Sequence, residues 1–207
     1  MVVEIPDVVS LIQTSDRAWF VFMFSVVHSV SFFGSNLFVV ACKRNNWFET
    51  YQIQSGPKAE RMVTPDMYWG CVRHNLFSHF VVFPILAYYL YPIFAGCGMT
   101  TDPSLLPSAG IIARDLLIAL VFNDSVFYWA HRALHHDSIY KYIHKQHHTF
   151  KVNTGFSAEY AHPIEDALAN AFPTIGGCMF MGSHAYVLWL WFVIRIVETV
   201  DAHSNYA

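Results

Sequence analysis

Long apolar stretches dominate the pattern of hydrophobic and polar positions along the chain. We distinguish four of them, at about residues 19–42, 76–98, 109–130 and 167–194. The first exceeds the roughly 20 residues that a helix needs to cross a bilayer. Strand-like alternation does not extend far enough anywhere in the sequence to predict a sheet. The pattern predicts an all-α fold, an integral membrane helical bundle with three to four membrane helices.

The charged residues between these stretches predict the orientation of the bundle. The loop at 99–108 contains one acidic residue and no basic one. Basic residues follow the first stretch at Lys43, Arg44, Lys58, Arg61 and Arg73, and the third stretch at Arg132, Lys141, Lys145 and Lys151. Because basic loops remain cytosolic, both of these segments are predicted to face the cytosol. The N-terminus and the 99–108 loop are then predicted to face the lumen.

The fourth stretch is compatible with two topologies. It contains Pro173, Gly176 and Gly177, residues that break or bend helices. It either crosses the membrane once or enters the bilayer and returns as a hairpin. We favour the hairpin because it keeps His203 on the same side as the histidine cluster described below.

Composition agrees with a membrane protein and argues against other classes. Of 207 residues, 55% are hydrophobic and only 13% are charged, whereas soluble domains carry about a quarter charged residues. The net charge of -3 provides no basic field for nucleic acid. The four cysteines show no CxxC spacing, so neither a disulfide framework nor a zinc ribbon is expected.

Histidine is the residue type that points to chemistry, since six of the twelve fall within 18 consecutive residues. His131 and His135 are four apart in HRALH, and His144, His147 and His148 follow i, i+3, i+4 spacing in HKQHH. Each set is therefore predicted to share one face of a helix. Neutral imidazole binds iron, zinc and copper, and five ligands exceed the need of one tetrahedral zinc. We predict a pair of metal ions in a cytosolic His-rich helical cap.

Carboxylates are candidates for metal ligands or for hydrogen-bond partners of the bound histidines. Asp124 lies two helical turns before His131, and an acidic residue inside a membrane helix is expensive to bury. The further candidates are Glu159, Glu165, Glu198 and Asp201. The isolated histidines are interpreted as hydrogen-bonded core or interfacial residues: His28, His74, His79 and His184.

Three motifs, in order, resemble the fatty acid hydroxylase / sterol desaturase superfamily of membrane di-iron oxidases. They are YKYIHKQHH at 140–148, AEYAHP at 158–163 and ETVDAHSNY at 198–206. Within the superfamily they are most similar to the C-4 methylsterol oxidase (methylsterol monooxygenase) subfamily. The resemblance implies the following metal ligands: His131, His135, His144, His147, His148 and His203. It leaves His162 as either a ligand or a residue that supports one.

The resemblance also implies an activity and its setting. It implies a multi-pass protein of the endoplasmic reticulum membrane, with the metal site facing the cytosol. The expected cofactors are two non-haem irons, with O₂ and electrons from NAD(P)H through cytochrome b5 or its reductase. The implied reaction oxidises the 4-methyl group of a sterol precursor to a carboxylate, which a sterol C-4 decarboxylating dehydrogenase would process. A fatty acyl hydroxylase or a sterol C-5 desaturase is the related alternative.

Two departures from the subfamily pattern affect these expectations. Asn205 stands where the subfamily has glycine, and asparagine tolerates a positive φ better than most residues do. The third box, of HxxHH type, is expected after this motif, and the sequence reaches Ala207 without one. We therefore expect residues 1–207 to form a single domain without that box, truncated relative to the family. The alternative is a catalytically incomplete membrane protein that binds metal or pairs with a full-length relative.

Overall fold

The computed structural model describes residues 15–207, apart from the side chain of Glu60. Within this range the backbone forms helices and turns, and the extended pairing is limited to an isolated antiparallel bridge between Gln52 and Tyr206. The all-α prediction is therefore confirmed. The predicted luminal position of the N-terminus concerns residues 1–14 and lies outside the described residues.

The bundle is built from helices of very different lengths. They are α1 (Asp16–Arg44), α2 (Pro57–Met62), α3 (Pro65–Phe77), α4 (Phe83–Gly96), α5 (Ala109–Leu134), α6 (Asp137–Tyr140), α7 (Pro163–Glu165), α8 (Phe172–Phe180) and α9 (Ala185–Ala202). Wide π-helical turns join α3 to α4 at Ser78–Val82 and α7 to α8 at Asp166–Ala171. Short 3-10 turns lie at Glu49–Tyr51, Pro103–Leu105, His147–Thr149 and Gly155–Glu159.

Two continuous helices of the described chain are long and apolar enough to cross a membrane: α1, and the run from Pro65 to Gly96. Helix α1 begins at Ser15, whose Oγ accepts from the Ala18 N–H at 3.3 Å, and ends with Lys43 and Arg44. Its cap and its terminal charges suit the helix dipole. Helix α5 is of similar length but more polar, so its crossing of the membrane remains a prediction.

The outer surface of the bundle is apolar. Val30, Leu37 and Tyr89 are 67%, 65% and 70% exposed, whereas Phe20 and Phe32 are fully buried in an aromatic core. Extended apolar surface of this kind is unusual in water and normal where lipid is the solvent. The fold is that expected of a helical membrane protein.

Both π-helical turns precede a Phe-Pro pair. The Phe83 N–H donates to the Ser78 carbonyl, and the Phe172 N–H donates to the Ala167 carbonyl, five residues back in each case. A proline in a helix lacks an N–H, and its ring crowds the carbonyl four residues earlier. A widened turn relieves that clash. Pro173, which was predicted to break the fourth apolar stretch, is accommodated in this way.

The fourth stretch forms a hairpin, as preferred from the sequence. One leg runs through α7 and α8, the chain reverses at 181–184 where Gly182 has a φ of 58°, and α9 is the returning leg. The predicted break at Gly176 and Gly177 is wrong, because both lie within α8. Their missing side chains instead permit close packing on α5. A Cβ at Gly177 would lie 2.7 Å from the Cα of Ala119.

The tip of the hairpin is fixed to the loop between α4 and α5. The Ala185 N–H donates to the Thr100 carbonyl at 2.9 Å, and His184 Nε2–H donates to the Asp102 carbonyl at 2.9 Å. Both legs therefore run the length of the bundle. The returning leg brings the chain back to the end of the bundle at which α5 finishes.

We expect Gly177→Ala to destabilise the fold by about 1–3 kcal/mol, the usual cost of overpacking. The new Cβ would meet the α5 backbone, which cannot move aside as a side chain can. Thermal unfolding in detergent micelles measures the effect. The matched control is Gly70→Ala in α3, where a Cβ meets nothing within 4 Å and helix propensity favours alanine. Equal melting temperatures for the two variants would contradict this account of the α5–α8 contact.

Candidate metal centre

Four imidazoles meet at the end of α5, and we call them the four-histidine cluster: His131, His135, His144 and His148. The Nε2 atom of His135 lies 3.2 Å from that of His131 and 3.1 Å from that of His144. The Nε2 atoms of His144 and His148 are 3.0 Å apart. One ligand atom from each residue lies within 4.8 Å of all the others. This arrangement aims four nitrogen donors at one point.

Two different backbone segments supply the cluster. His131 and His135 are one turn apart at the end of α5, as their spacing predicts. The segment carrying the other two is not the regular helix expected from HKQHH, because it consists of turns followed by the 3-10 turn at His147–Thr149. The His148 N–H still donates to the His144 carbonyl at 3.4 Å. That contact keeps these two imidazoles one helical turn apart.

A second group, which we call the histidine pair, consists of His147 and His203, with their Nε2 atoms 3.4 Å apart. His203 follows directly on α9, so the hairpin is what brings it here. Its Nδ1–H donates to the Thr199 carbonyl at 2.8 Å. A carbonyl can only accept, so the proton is on Nδ1 and the lone pair of Nε2 is free to face His147.

Glu165 sets the orientation of His144. The Nδ1–H of His144 donates to Glu165 Oε1 at 2.8 Å, and both side chains are buried. The Nε2 atom is then unprotonated, and it faces the Nε2 atoms of His135 and His148. The lone pair of His144 Nε2 can accept one hydrogen bond, so it cannot satisfy both of these neighbouring nitrogens. A cation placed among the four nitrogens satisfies all of them, so the donor set fits a metal ion.

Burial keeps His144 and His147 in the uncharged form that binds metal. Burial, and then the charges of neighbouring histidines, lowers the pKa of His144 to about 3. Burial, and then His203, lowers the pKa of His147 to about 4. Near neutral pH the two imidazoles are therefore uncharged, as ligands must be.

Three residues proposed from the sequence lie away from both groups. His162 caps α7, where its Nδ1 accepts from the Ile164 N–H at 3.2 Å. Asp124 is exposed, and its Oδ1 contacts the Asn123 side chain at 3.4 Å. Asp201 is exposed near the end of α9. Among the contacts of residues 15–207, none joins these three side chains to the four-histidine cluster or to the histidine pair.

Glu159 belongs to a different cluster, in which its two carboxylate oxygens lie 2.9 Å from His28 Nε2 and 2.8 Å from His79 Nε2. Both histidines are buried, in agreement with their assignment to the hydrogen-bonded core. Their meeting with Glu159 was missed from the sequence. They stand 131 and 80 residues before it, and no spacing rule connects positions so far apart.

The part of the chain that carries the two histidine groups matches a known protein family. A family model described as fatty acid hydroxylase matches residues 116–207, a range that includes both groups of histidines. The C-terminal part of the chain, residues 116–207, therefore matches the fatty acid hydroxylase family. The family resemblance drawn from the three sequence motifs is confirmed.

Relatives of the chain carry two kinds of name. Methylsterol monooxygenase 2-1 of Arabidopsis thaliana is 35% identical over 87% of this chain and 64% of its own length. Very-long-chain aldehyde decarbonylase GL1-11 of Oryza sativa subsp. indica is 36% identical over 87% of this chain and 65% of its own. C-4 methylsterol oxidase of Candida albicans is 32% identical over 89% of this chain and 59% of its own length. The chain thus spans slightly less than two thirds of these relatives, and no solved structure matches it.

The turn after His203 contains the departure from the subfamily pattern. Asn205 has a φ of 69°, the left-handed conformation that asparagine was expected to tolerate. Its Oδ1 accepts from the Gln54 N–H at 3.0 Å, and its Nδ2 donates to the Gln54 carbonyl at 2.7 Å. Asparagine therefore does more than replace glycine, because it ties the segment carrying His203 to the loop after α1.

We expect Asn205→Gly to lose these two hydrogen bonds and about 1–2 kcal/mol of stability. Asn205→Ala loses the same bonds and adds the strain of a Cβ at positive φ, about another 1 kcal/mol. Thermal unfolding in detergent should give the highest melting temperature for the wild type, a lower one for Asn205→Gly and the lowest for Asn205→Ala. A glycine variant as stable as the wild type would show that the Gln54 contacts contribute nothing.

We expect Glu165→Ala to weaken metal binding by about 10–100-fold, the usual effect of removing a carboxylate that orients a ligating histidine. Competition titration of the purified chain with Co²⁺ or Zn²⁺ measures the affinity. Glu198→Ala is the control, since that carboxylate is exposed and pairs with Arg195. If both variants bind metal as the wild type does, Glu165 does not orient His144.

Proposed function

We propose that this chain supplies the membrane bundle and six histidine ligands of a methylsterol monooxygenase, which oxidises the 4-methyl group of sterol precursors with O₂. The observation that carries the proposal is the meeting of six imidazoles in two groups at one end of an apolar bundle. The names of the methylsterol monooxygenase relatives support the substrate class.

The two groups suit two iron ions. The four-histidine cluster offers four nitrogen donors to one ion, and the histidine pair offers two to the other. Imidazole is a common ligand of non-haem iron. Bound iron would supply the activation of O₂ needed to oxidise an unactivated C–H bond. The chain's own part is to hold the imidazoles neutral and oriented, through Glu165 for His144 and the Thr199 carbonyl for His203.

An apolar cavity inside the bundle gives a lipid a place next to the cluster. It has a volume of about 190 Å³ and is enclosed by α1, α4, α5, the descending leg of the hairpin and α9. Phe24, Leu86 and Phe192 are among its apolar lining residues, and Phe127 closes it near the cluster. The Phe127 ring stacks on His131 with centroids 5.2 Å apart. The part of a sterol that enters this cavity from the membrane would lie next to Phe127, beside the cluster.

The surface near the cluster supports an electron donor on the same side. Arg132, Lys141, Lys145 and Lys151 are all exposed on the histidine-bearing segments. Their positive charge favours a cytosolic position in the endoplasmic reticulum membrane. It would also favour approach of an acidic donor, such as a cytochrome b5 that relays electrons from NAD(P)H. A sterol C-4 decarboxylating dehydrogenase would then consume the carboxylate product.

A second candidate function is oxidation of a long aliphatic chain. Relatives named very-long-chain aldehyde decarbonylase match this chain at the same identity as the plant methylsterol monooxygenases. A cavity lined mainly by apolar side chains accepts an acyl chain as well as a sterol ring system. A fatty acyl hydroxylase and a sterol C-5 desaturase belong to the same alternative.

Turnover of defined lipids in membranes that contain the chain separates these functions. We expect O₂- and NADPH-dependent conversion of 4-methylsterols, measured by gas chromatography–mass spectrometry. His144→Ala should reduce it more than about 100-fold, since even partners of metal ligands contribute 10–100-fold. His136→Ala is the control, because His136 is exposed and caps α6.

Two other outcomes would contradict the sterol proposal. Conversion of very-long-chain aldehydes or fatty acyl chains, with methylsterols untouched, would establish the second candidate. Bound iron without turnover of any of these lipids would identify a catalytically incomplete metal-binding protein.

A further inference from the structure

The cluster of His28, His79 and Glu159 lies inside the bundle and shares no residue with the two histidine groups. His28 is in the middle of α1, His79 is in the π-helical turn between α3 and α4, and Glu159 ends a 3-10 turn. The Nε2 atoms of both histidines face the same carboxylate, at 2.9 and 2.8 Å. Three separate segments of the chain therefore converge on one point.

The cluster is buried, so an uncompensated charge in it would cost free energy. The side chains of His28, His79 and Glu159 are 8%, 0% and 10% exposed. Among residues 15–207, these two histidines are the only ion-pair partners of Glu159. With both imidazoles neutral, the cluster carries one uncompensated negative charge in an apolar bundle. Such a charge is costly unless a cation compensates it.

The geometry also suits a metal ion. Metal–ligand bonds of about 2.0–2.2 Å at the right angles of octahedral coordination place neighbouring ligand atoms about 3 Å apart, close to the two N–O distances here. The Nδ1 atom of His79 lies 3.1 Å from Ser29 Oγ, so its second nitrogen is oriented by a neighbour, as is usual for metal-bound histidine. Widened helical turns such as the one that carries His79 recur at functional sites.

We propose that His28, His79 and Glu159 bind one divalent transition-metal cation, such as Zn²⁺, Fe²⁺ or Co²⁺, inside the bundle. Two histidines and one carboxylate form a ligand set that leaves coordination positions open. His28 and Glu159 also line the apolar cavity, so the open positions adjoin the space proposed for lipid. The site stands apart from the proposed function, because it uses none of the six histidines assigned to the iron ions.

The test starts from a chain in which the four-histidine cluster has been disabled by His131→Ala and His144→Ala. This purified chain, in detergent, should still bind Co²⁺ and show the visible absorption of a protein-bound ion. Adding His79→Gln, or in a separate chain Glu159→Gln, should remove one equivalent of Co²⁺, measured by elemental analysis, together with that absorption. Adding His74→Gln should change neither, because His74 packs on Tyr160 outside the cluster.

Two results would overturn the proposal. One is a doubly substituted chain that binds no Co²⁺ while its melting temperature shows that it is folded. The other is an equal Co²⁺ content and spectrum with and without His79→Gln. In either case the cluster is held by hydrogen bonds and a proton. This test is independent of the proposed function. His144→Ala is expected to abolish sterol turnover while the cation at His28, His79 and Glu159 stays bound.

Discussion

Imidazole nitrogens that face one another across about 3 Å are the interaction on which the candidate metal centre depends. A cation at the centre of the four-histidine cluster would satisfy all four nitrogens at once, which a proton shared between two of them does not. The surrounding contacts all serve that arrangement. Glu165 holds the proton of His144 on the far nitrogen, and the Thr199 carbonyl does the same for His203. Burial lowers the pKa of His144 and of His147, which keeps these two imidazoles uncharged near neutral pH.

The sequence predicts the parts of this centre that depend on local spacing. The i, i+4 spacing of His131 and His135 needs only a helix, and α5 supplies it. The hairpin could be argued because His203 had to return to the cluster. The chemical type of the cluster follows from the number and spacing of its imidazoles, and the family follows from the resemblance of the three motifs.

Features that depend on tertiary packing could not be predicted in this way. Gly176 and Gly177 looked like helix breakers, because a sequence does not show that α5 lies close enough to need their missing side chains. The proline at 173 looked like a break for the same reason, although a widened turn accommodates it. His28, His79 and Glu159 meet only once three segments have packed, so each was interpreted singly.

Helix α9 is tied at both ends to functionally different parts of the protein. Its first turn is held by the Thr100 and Asp102 carbonyls, and its last turn leads into His203. Eighteen helical residues form a stiff rod about 27 Å long. A displacement of the loop at one end of the bundle would therefore shift His203 along the axis of α9, because the helix between them is stiff. One helix thus couples the position of His203 to the loop at the opposite end of the bundle.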